Sequence, residues 1–232
     1  MSFTNLELLE KKLNYKFKDI KLLKKALTHS SYVNENNMKP YESNERLEYL
    51  GDAVLGLIIG EYFYINYPKD LEGSLSKMRA DSVNEKVLFF ISKNLNLGDS
   101  IRFGKGEIKN GGRMRESTSA DALEALIGAI YLDSNFNEAK RIVLYLFQEF
   151  LEKDRYKLFN IDFKTKLQEK VQKSGKKLEY KLVREEGTDN NKTFYTELFL
   201  DEVLVGKGKG KTKKESQQEA AKEAFKGMDK IV

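Results

Sequence analysis

Apolar residues recur at three- and four-residue spacing from position 5 to about position 153, as in Leu8-Leu9, Leu22-Leu23-Ala26-Leu27 and Val83-Val87-Leu88. That period lines one face of a helix, so this stretch is expected to be all helix. Pro40 and Pro68 fall just before and just after the longest apolar helix, where a residue lacking an amide hydrogen is tolerated. Residues 97–112 break the pattern with Gly98, Gly104, Gly106, Gly111 and Gly112 among mixed charges, and read as an ordered functional loop or a flexible lid. The helical period weakens again over 152–161 (EKDRYKLFNI), which suggests a linker. Beyond it, 163–174 has the pattern of an amphipathic helix, 178–183, 193–200 and 203–206 alternate like strands, and 213–228 is an alanine-rich helix. The order helix, three strands, helix predicts a small α+β domain with both helices on one face of an antiparallel sheet. The expected organisation is an all-α domain over 1–153, a linker over 154–161 and an α+β domain over 162–232.

Composition narrows the chemistry. The chain has no cysteine and a single histidine, which excludes disulfides, thiolate zinc sites and cysteine nucleophiles. Any metal must therefore be held by oxygen, and hard oxygen ligands select magnesium, manganese or calcium. The formal net charge is +5, and most of it is C-terminal: residues 160–232 hold 17 Lys+Arg against 13 Asp+Glu. A clustered positive excess of this kind suits a polyanionic partner. The N-terminal residues lack the basic and apolar regions of a signal peptide, and the most apolar run, 53–60, is far shorter than the roughly 20 residues that cross a bilayer. A cytoplasmic protein without membrane contact is expected.

Candidate chemistry sits in two acidic segments. In NERLEYLGDAVL (44–55), Glu45, Glu48 and Asp52 are three and then four residues apart, so they stack on one face of a helix that Ser43 or Asn44 can cap. Stacked like charges beside apolar neighbours repel and are poorly solvated, a cost that a bound cation reverses. In ESTSADALEALIGAIYLD (116–133), Asp121 and Glu124 repeat the design at the polar start of another apolar helix. Either group alone also describes a solvated acidic face. Together they place four carboxylates where two helices can share a divalent ion.

NERLEYLGDAVL closely resembles the signature helix of the ribonuclease III family, and ADALEALIGAIYLD (120–133) resembles its second acidic segment. The likeness continues through LTHSSYVNE (27–35), LEGSLSKMRA (71–80) and the glycine loop before Arg113, and so spans essentially the whole chain. The resemblance implies a magnesium-dependent endoribonuclease for double-stranded RNA, with manganese as a substitute ion and no small-molecule cofactor. It implies Glu48, Asp121, Glu124 and Asp52 as metal ligands, with Asp52 and Glu124 closest to the hydrolytic step. Glu45 and Glu72 would help to place the scissile phosphate or a second ion. The implied reaction is phosphodiester hydrolysis by metal-activated water, leaving 5′-phosphate and 3′-hydroxyl ends with short 3′ overhangs, on ribosomal RNA precursors and other structured transcripts. His29, in Thr28-His29-Ser30-Ser31 at a helix end, is expected to be structural, capping carbonyls through a ring nitrogen.

The C-terminal segment resembles a double-stranded-RNA-binding domain. GKGKGKTKK (206–214) holds five lysines and no acid and leads into a helix, an arrangement in which lysines and first-turn amides meet phosphate while the glycines let backbone come close. Lys211, Lys213 and Lys214 are the candidates there, with Lys192 in the preceding segment. Lys166, Gln168 and Glu169 on the first helix match positions that the family uses in the minor groove of A-form RNA, over about 16 base pairs. Asn190 stands where many relatives carry histidine and implies an altered groove contact. Cutting both strands with one centre per chain implies a homodimer. The helix carrying Leu47, Tyr49, Leu50, Leu55, Leu57 and Ile58 is apolar almost all round, which implies burial on more than one side, within its own core or against a second chain. A catalytically silent duplex-RNA-binding protein and an all-helical small-molecule phosphohydrolase are the competing readings.

Overall fold

The apolar positions of two helices account for the centre of the N-terminal half. In the computed structural model, which describes residues 3–152, 163–172, 175–187 and 192–228, α4 (Glu45–Asn66) and α9 (Glu116–Asp133) cross at the middle of the core. The expected linker, 154–161, and Asn190 lie outside the described residues. Leu55, Ile58, Ile59 and Phe63 of α4 are fully buried, each contributing about 1.5–3 kcal/mol of transfer free energy. In α9 every residue from Thr118 to Ile130 is buried except Asp121 and Glu124.

The other helices complete a shell: α1 (Phe3–Leu13), α2 (Ile20–Ala26), α3 (Ser30–Glu35), α5 (Glu72–Ser82), α6 (Glu85–Leu95), α7 (Leu97–Ser100), α8 (Lys105–Lys109) and α10 (Phe136–Glu152). Val87, Leu88, Ile91 and Leu95 form the inward stripe of α6 at helical spacing. The far end of α9 is tied to the N-terminal segment by Asp133, which accepts from Tyr15 Oη at 2.5 Å and from the Lys18 and Asp19 amides at 2.8 Å each. The Tyr15 hydroxyl is pushed up to about 12 by burial and by that carboxylate.

Residues 97–112 are ordered, the first of the two alternatives for this stretch, and much of it is helical. They form α7, α8 and a bridge between Thr28 and Arg102. The Glu35 carboxylate accepts from the Lys105 and Gly106 amides at 2.7 and 3.0 Å, and Ser31 Oγ accepts from Gly104 at 3.0 Å, so side chains of α3 satisfy what the glycines leave open. Of the two alternatives for α4, complete burial within its own core does not hold: Tyr49, Leu57 and Tyr64 are 83, 60 and 73% exposed.

The chain divides into two compact units, Met1–Asn160 and Ile161–Val232. In the second, α11 (Phe163–Gln172) and α12 (Lys213–Met228) accompany an antiparallel sheet in the order β1 (Leu178–Glu186), β2 (Thr193–Leu200), β3 (Val203–Gly210). Leu167, Val171, Leu198, Ala220, Ala221 and Ala224 form its core. β1 and β3 run further than the 178–183 and 203–206 expected: β3 keeps its alternation through the glycines and lysines, while β1 continues past a bulge between Leu182 and Arg184 because β2 extends alongside it. The glycines of GKGKG alternate inward: a Cβ at Gly206 or Gly208 would lie 2.3 Å from Ala220 O or 2.0 Å from Ser216 O. They admit the chain's own α12, which corrects the expectation that they admit a ligand.

Candidate metal centre

The crossing of α4 and α9 is as close as backbones allow. A Cβ on Gly51 would lie 1.8 Å from the carbonyl oxygen of Glu124, and one on Gly128 would lie 2.3 Å from that of Leu47. Only glycine fits either place. Glu48 stands one turn before Gly51, and Glu124 one turn before Gly128, so the contact that excludes side chains at the glycines brings the neighbouring acids to one side. Carboxylate oxygens of Glu48, Asp121 and Glu124 all lie within 4.8 Å of one another.

The electrostatics follow from that geometry. All three side chains are half-buried. The Glu124 carboxyl is pushed up to about 8, first by burial and then by the charges of Asp52, Asp121 and Glu48. Glu48 is raised by burial and then by Asp121, Glu45 and Asp52. Asp121 is raised by burial and then by Glu85, with the His29 ring opposing. These are carboxylates crowded beyond what their surroundings neutralise, an arrangement that a divalent cation relieves. The donor set, three carboxylates without thiolate or imidazole, suits a hard ion such as magnesium or manganese.

The remaining candidates divide. Asp52 is exposed on the next turn of α4; it lies outside the tight cluster but acts through its charge on both Glu48 and Glu124. Glu45 accepts from Ser43 Oγ at 3.2 Å, and its charge reaches Glu48. Glu72 is exposed in the first turn of α5, accepting from Ser76 Oγ at 2.7 Å, and is not drawn into the cluster. Asn44 is the N-cap of α4 but makes no side-chain capping bond, while Ser43 Oγ donates to Pro40 O and to Glu45, so neither caps in the way expected.

His29 also differs from expectation. Its Nδ1 accepts from the Ser31 amide at 3.2 Å, so it caps the start of α3 through an N–H rather than capping carbonyls. Three contributors had no chemical signature of their own: Gly51, Gly128 and Glu85. The glycines stand three and four residues after an acid in their motifs, a spacing that marks a helix contact beside a charged group. Glu85 follows Asn84, whose side chain accepts from the Lys86 and Val87 amides, a helix start legible in the sequence.

In the second unit Lys166, Gln168 and Glu169 are exposed on α11, as are Lys192, Lys211, Lys213 and Lys214 ahead of and along α12. Lys213 pairs with Glu185 at 3.2 Å. The start of α12 is partly occupied by its own side chains: Thr212 Oγ accepts from the Glu215 amide at 3.1 Å and Glu215 accepts from the Lys211 amide at 2.7 Å. Fewer first-turn amides are therefore open to phosphate than expected, and the lysines carry more of the attraction. No helix among the described residues is long and apolar enough to cross a membrane.

Residues 19–150 match the family model Ribonuclease-III-like, and residues 163–228 match Double-stranded RNA binding motif. A Ribonuclease 3 of Caldanaerobacter subterraneus subsp. tengcongensis is 50% identical over 94% of this chain and 95% of its own length. A Ribonuclease 3 of Clostridium tetani is 47% identical over 98% of this chain and 96% of its own length. Among solved structures, a ribonuclease III nuclease domain from Campylobacter jejuni, described for structural flexibility in a region involved in dimer formation, is 50% identical. It has a TM-score of 0.58 and covers 62% of this chain and 96% of its own. With near-complete coverage by such relatives and a matching family model on each unit, the chain belongs to the ribonuclease III family.

Proposed function

We propose that this protein is a metal-dependent endoribonuclease that hydrolyses both strands of double-stranded RNA, as a cytoplasmic homodimer acting on ribosomal RNA precursors and other structured transcripts. The observation that carries the reading is the convergence of Glu48, Asp121 and Glu124 from two helices within 4.8 Å. In this reading residues 1–153 are catalytic, 162–232 bind the duplex and 154–161 join them.

Glu48, Asp121 and Glu124 would hold magnesium, or manganese in its place, with Asp52 beside them. When bound, the ion would supply Lewis acidity toward a phosphoryl oxygen and ease deprotonation of water. The protein's own contribution is to fix three oxygens on rigid helices and to keep them half-buried, which strengthens their hold on a cation. Asp52, exposed on the next turn of α4 and acting on Glu124 through its charge, would take up a proton at its carboxylate oxygen. Glu45 and Glu72 would help to place the scissile phosphate or a second ion. Products are a 5′-phosphate and a 3′-hydroxyl, with short 3′ overhangs where two centres cut opposite strands. The exposed Tyr49, Leu57 and Tyr64 on α4 supply an apolar face for a second copy. Lys166, Gln168 and Glu169 meet the minor groove, with Asn190 in the adjoining loop, while Lys192, Lys211, Lys213 and Lys214 meet phosphate.

The test is incubation of the full chain with a long RNA duplex, one of its strands alone and a DNA duplex, each with magnesium and with chelator. Loss of the RNA duplex alone, and only with magnesium, is expected. Equal loss of the DNA duplex, or cutting that persists in chelator, would overturn the reading.

A further inference from the structure

β3 carries a pattern that duplex binding does not use. With Gly206, Gly208 and Gly210 turned toward α12, strand alternation turns Lys207 and Lys209 to the opposite face of the sheet. The pairing register then assembles cross-strand rows on that face. Arg184, Tyr195 and Lys209 form one row, and Lys181, Glu197 and Lys207 the next. Phe199 continues the face along β2, four residues from Tyr195, about 13 Å at the usual rise per residue.

Both rings lie beneath cations. Arg184 Cζ and Lys209 Nζ stand 5.7 and 5.6 Å from the Tyr195 ring centre, and Lys181 Nζ stands 4.8 Å from that of Phe199. Three acids share this face with the four cations: Glu197 is met by Lys207 at 2.9 Å, Glu179 by Lys181 at 3.5 Å, and Glu186 by Arg184 and by the Tyr195 hydroxyl, which donates to it at 2.8 Å. The positive excess is therefore a single charge, and the exposed pairs with Lys181 and Arg184 must open to admit phosphate. A shallow cavity of about 330 Å³ opens over the Tyr195 row. Charged side chains on edge strands are a common guard against sheet-to-sheet association, but that role needs neither a positive excess nor aromatic rings on the central strand.

We propose that this outer sheet face binds single-stranded RNA, such as the unpaired flank of a duplex substrate, with Tyr195 and Phe199 stacking bases and Lys181, Arg184 and Lys209 meeting phosphates. Rings flanked by cations are what an unpaired strand requires, because only splayed bases offer a π-face. A duplex keeps its bases stacked inside and cannot use the rings. An acidic peptide answers the charge but has nothing to stack. The site is separate from the duplex contacts on α11 and α12, which lie on the sheet's other side. The inference rests on the endoribonuclease reading only for the source of the strand.

The experiment measures binding of the full chain, in chelator so that nothing is cut, to a fluorescent 12-nucleotide oligouridylate and to a blunt 16-base-pair RNA duplex. Tyr195→Leu is expected to weaken oligouridylate binding by ~5-fold or more. Lys181→Gln combined with Lys209→Gln is expected to lower its salt slope by about 1.4, or about 0.7 for each lost cation. Both variants should bind the blunt duplex within about twofold of wild type, which also reports an intact fold. The proposal is overturned if the wild type ignores oligouridylate, if the double lysine variant binds it unchanged, or if polyglutamate of equal length displaces it as well as unlabelled oligouridylate does. Cleavage of the blunt duplex with magnesium is followed in parallel. Its absence in the wild type would defeat the nuclease reading while leaving the sheet-face result standing.

Discussion

The α4–α9 crossing and the β3–α12 contact use the same device for opposite ends. In each, glycines let backbones meet: Gly51 and Gly128 in the first, Gly206 and Gly208 in the second. At the helix crossing the neighbouring charges are forced inward, three carboxylates within 4.8 Å, and the shared cost shows in their raised proton affinities. At the sheet contact the alternate lysines are turned outward, Lys207 onto Glu197 at 2.9 Å and Lys209 over the Tyr195 ring. Close packing can thus concentrate like charge or disperse it, and the first arrangement calls for a cation while the second merely presents charge to a polyanion.

Separating the two regions by mutation gives the largest expected effect. Glu124→Ala should cut duplex RNA at least about 100-fold more slowly while binding it as wild type does. Lys213→Ala with Lys214→Ala should do the reverse, lowering the salt slope of duplex binding by about 1.8 and leaving saturated cleavage intact. Single-turnover cleavage and filter binding on the same preparations check both. Loss of binding in Glu124→Ala would break the division of labour.

The glycine contacts give the next effect. Gly51→Ala should lower stability by about 1–3 kcal/mol, since a methyl group cannot share space with the Glu124 carbonyl. Hydrogen exchange should locate the loss in α4 and α9. Gly208→Ala should place a similar loss in β3 and α12 and leave α4 and α9 protected.

The smallest effect is in pH. Glu124 binds its proton more tightly when folded, with its affinity moved from the ordinary 4.5 to about 8, so the folded state holds the extra proton between those values. Stability from this group is therefore lost as pH rises through that window. Glu124→Gln should match wild type near pH 5 in chelator and melt higher near pH 8.5. A gain on the order of 1 kcal/mol, or about 2–4 °C, allows for the group's remaining solvent contact. Equal melting at both pH values would show that the charge at Glu124 is not confined.

Much of this was legible in the sequence because it depends on spacing. The helical period of the first 150 or so positions, the strand alternation of 193–200 and the acids of NERLEYLGDAVL and ADALEALIGAIYLD each declare their faces locally. What escaped depends on partners distant in the chain. Asp52 shares a helix face with Glu48, but only the way the two helices cross decides that Glu48, and not Asp52, joins Asp121 and Glu124 in the tight cluster. The glycines of GKGKG look like room for a ligand until α12 is seen against them. Residues 97–112 look irregular because the groups that order them, Ser31 and Glu35, lie some 70 positions earlier. The open side of α4 is invisible to a hydrophobic pattern, which cannot say which chain covers an apolar face.

The most direct measurement is a calorimetric titration of the full chain with manganese or magnesium, without RNA, in wild type and in Glu48→Gln and Glu124→Gln. Saturable binding to the wild type that either substitution weakens at least tenfold is the expected result. Binding that both variants retain at full strength would mean that these converging acids do not hold the ion.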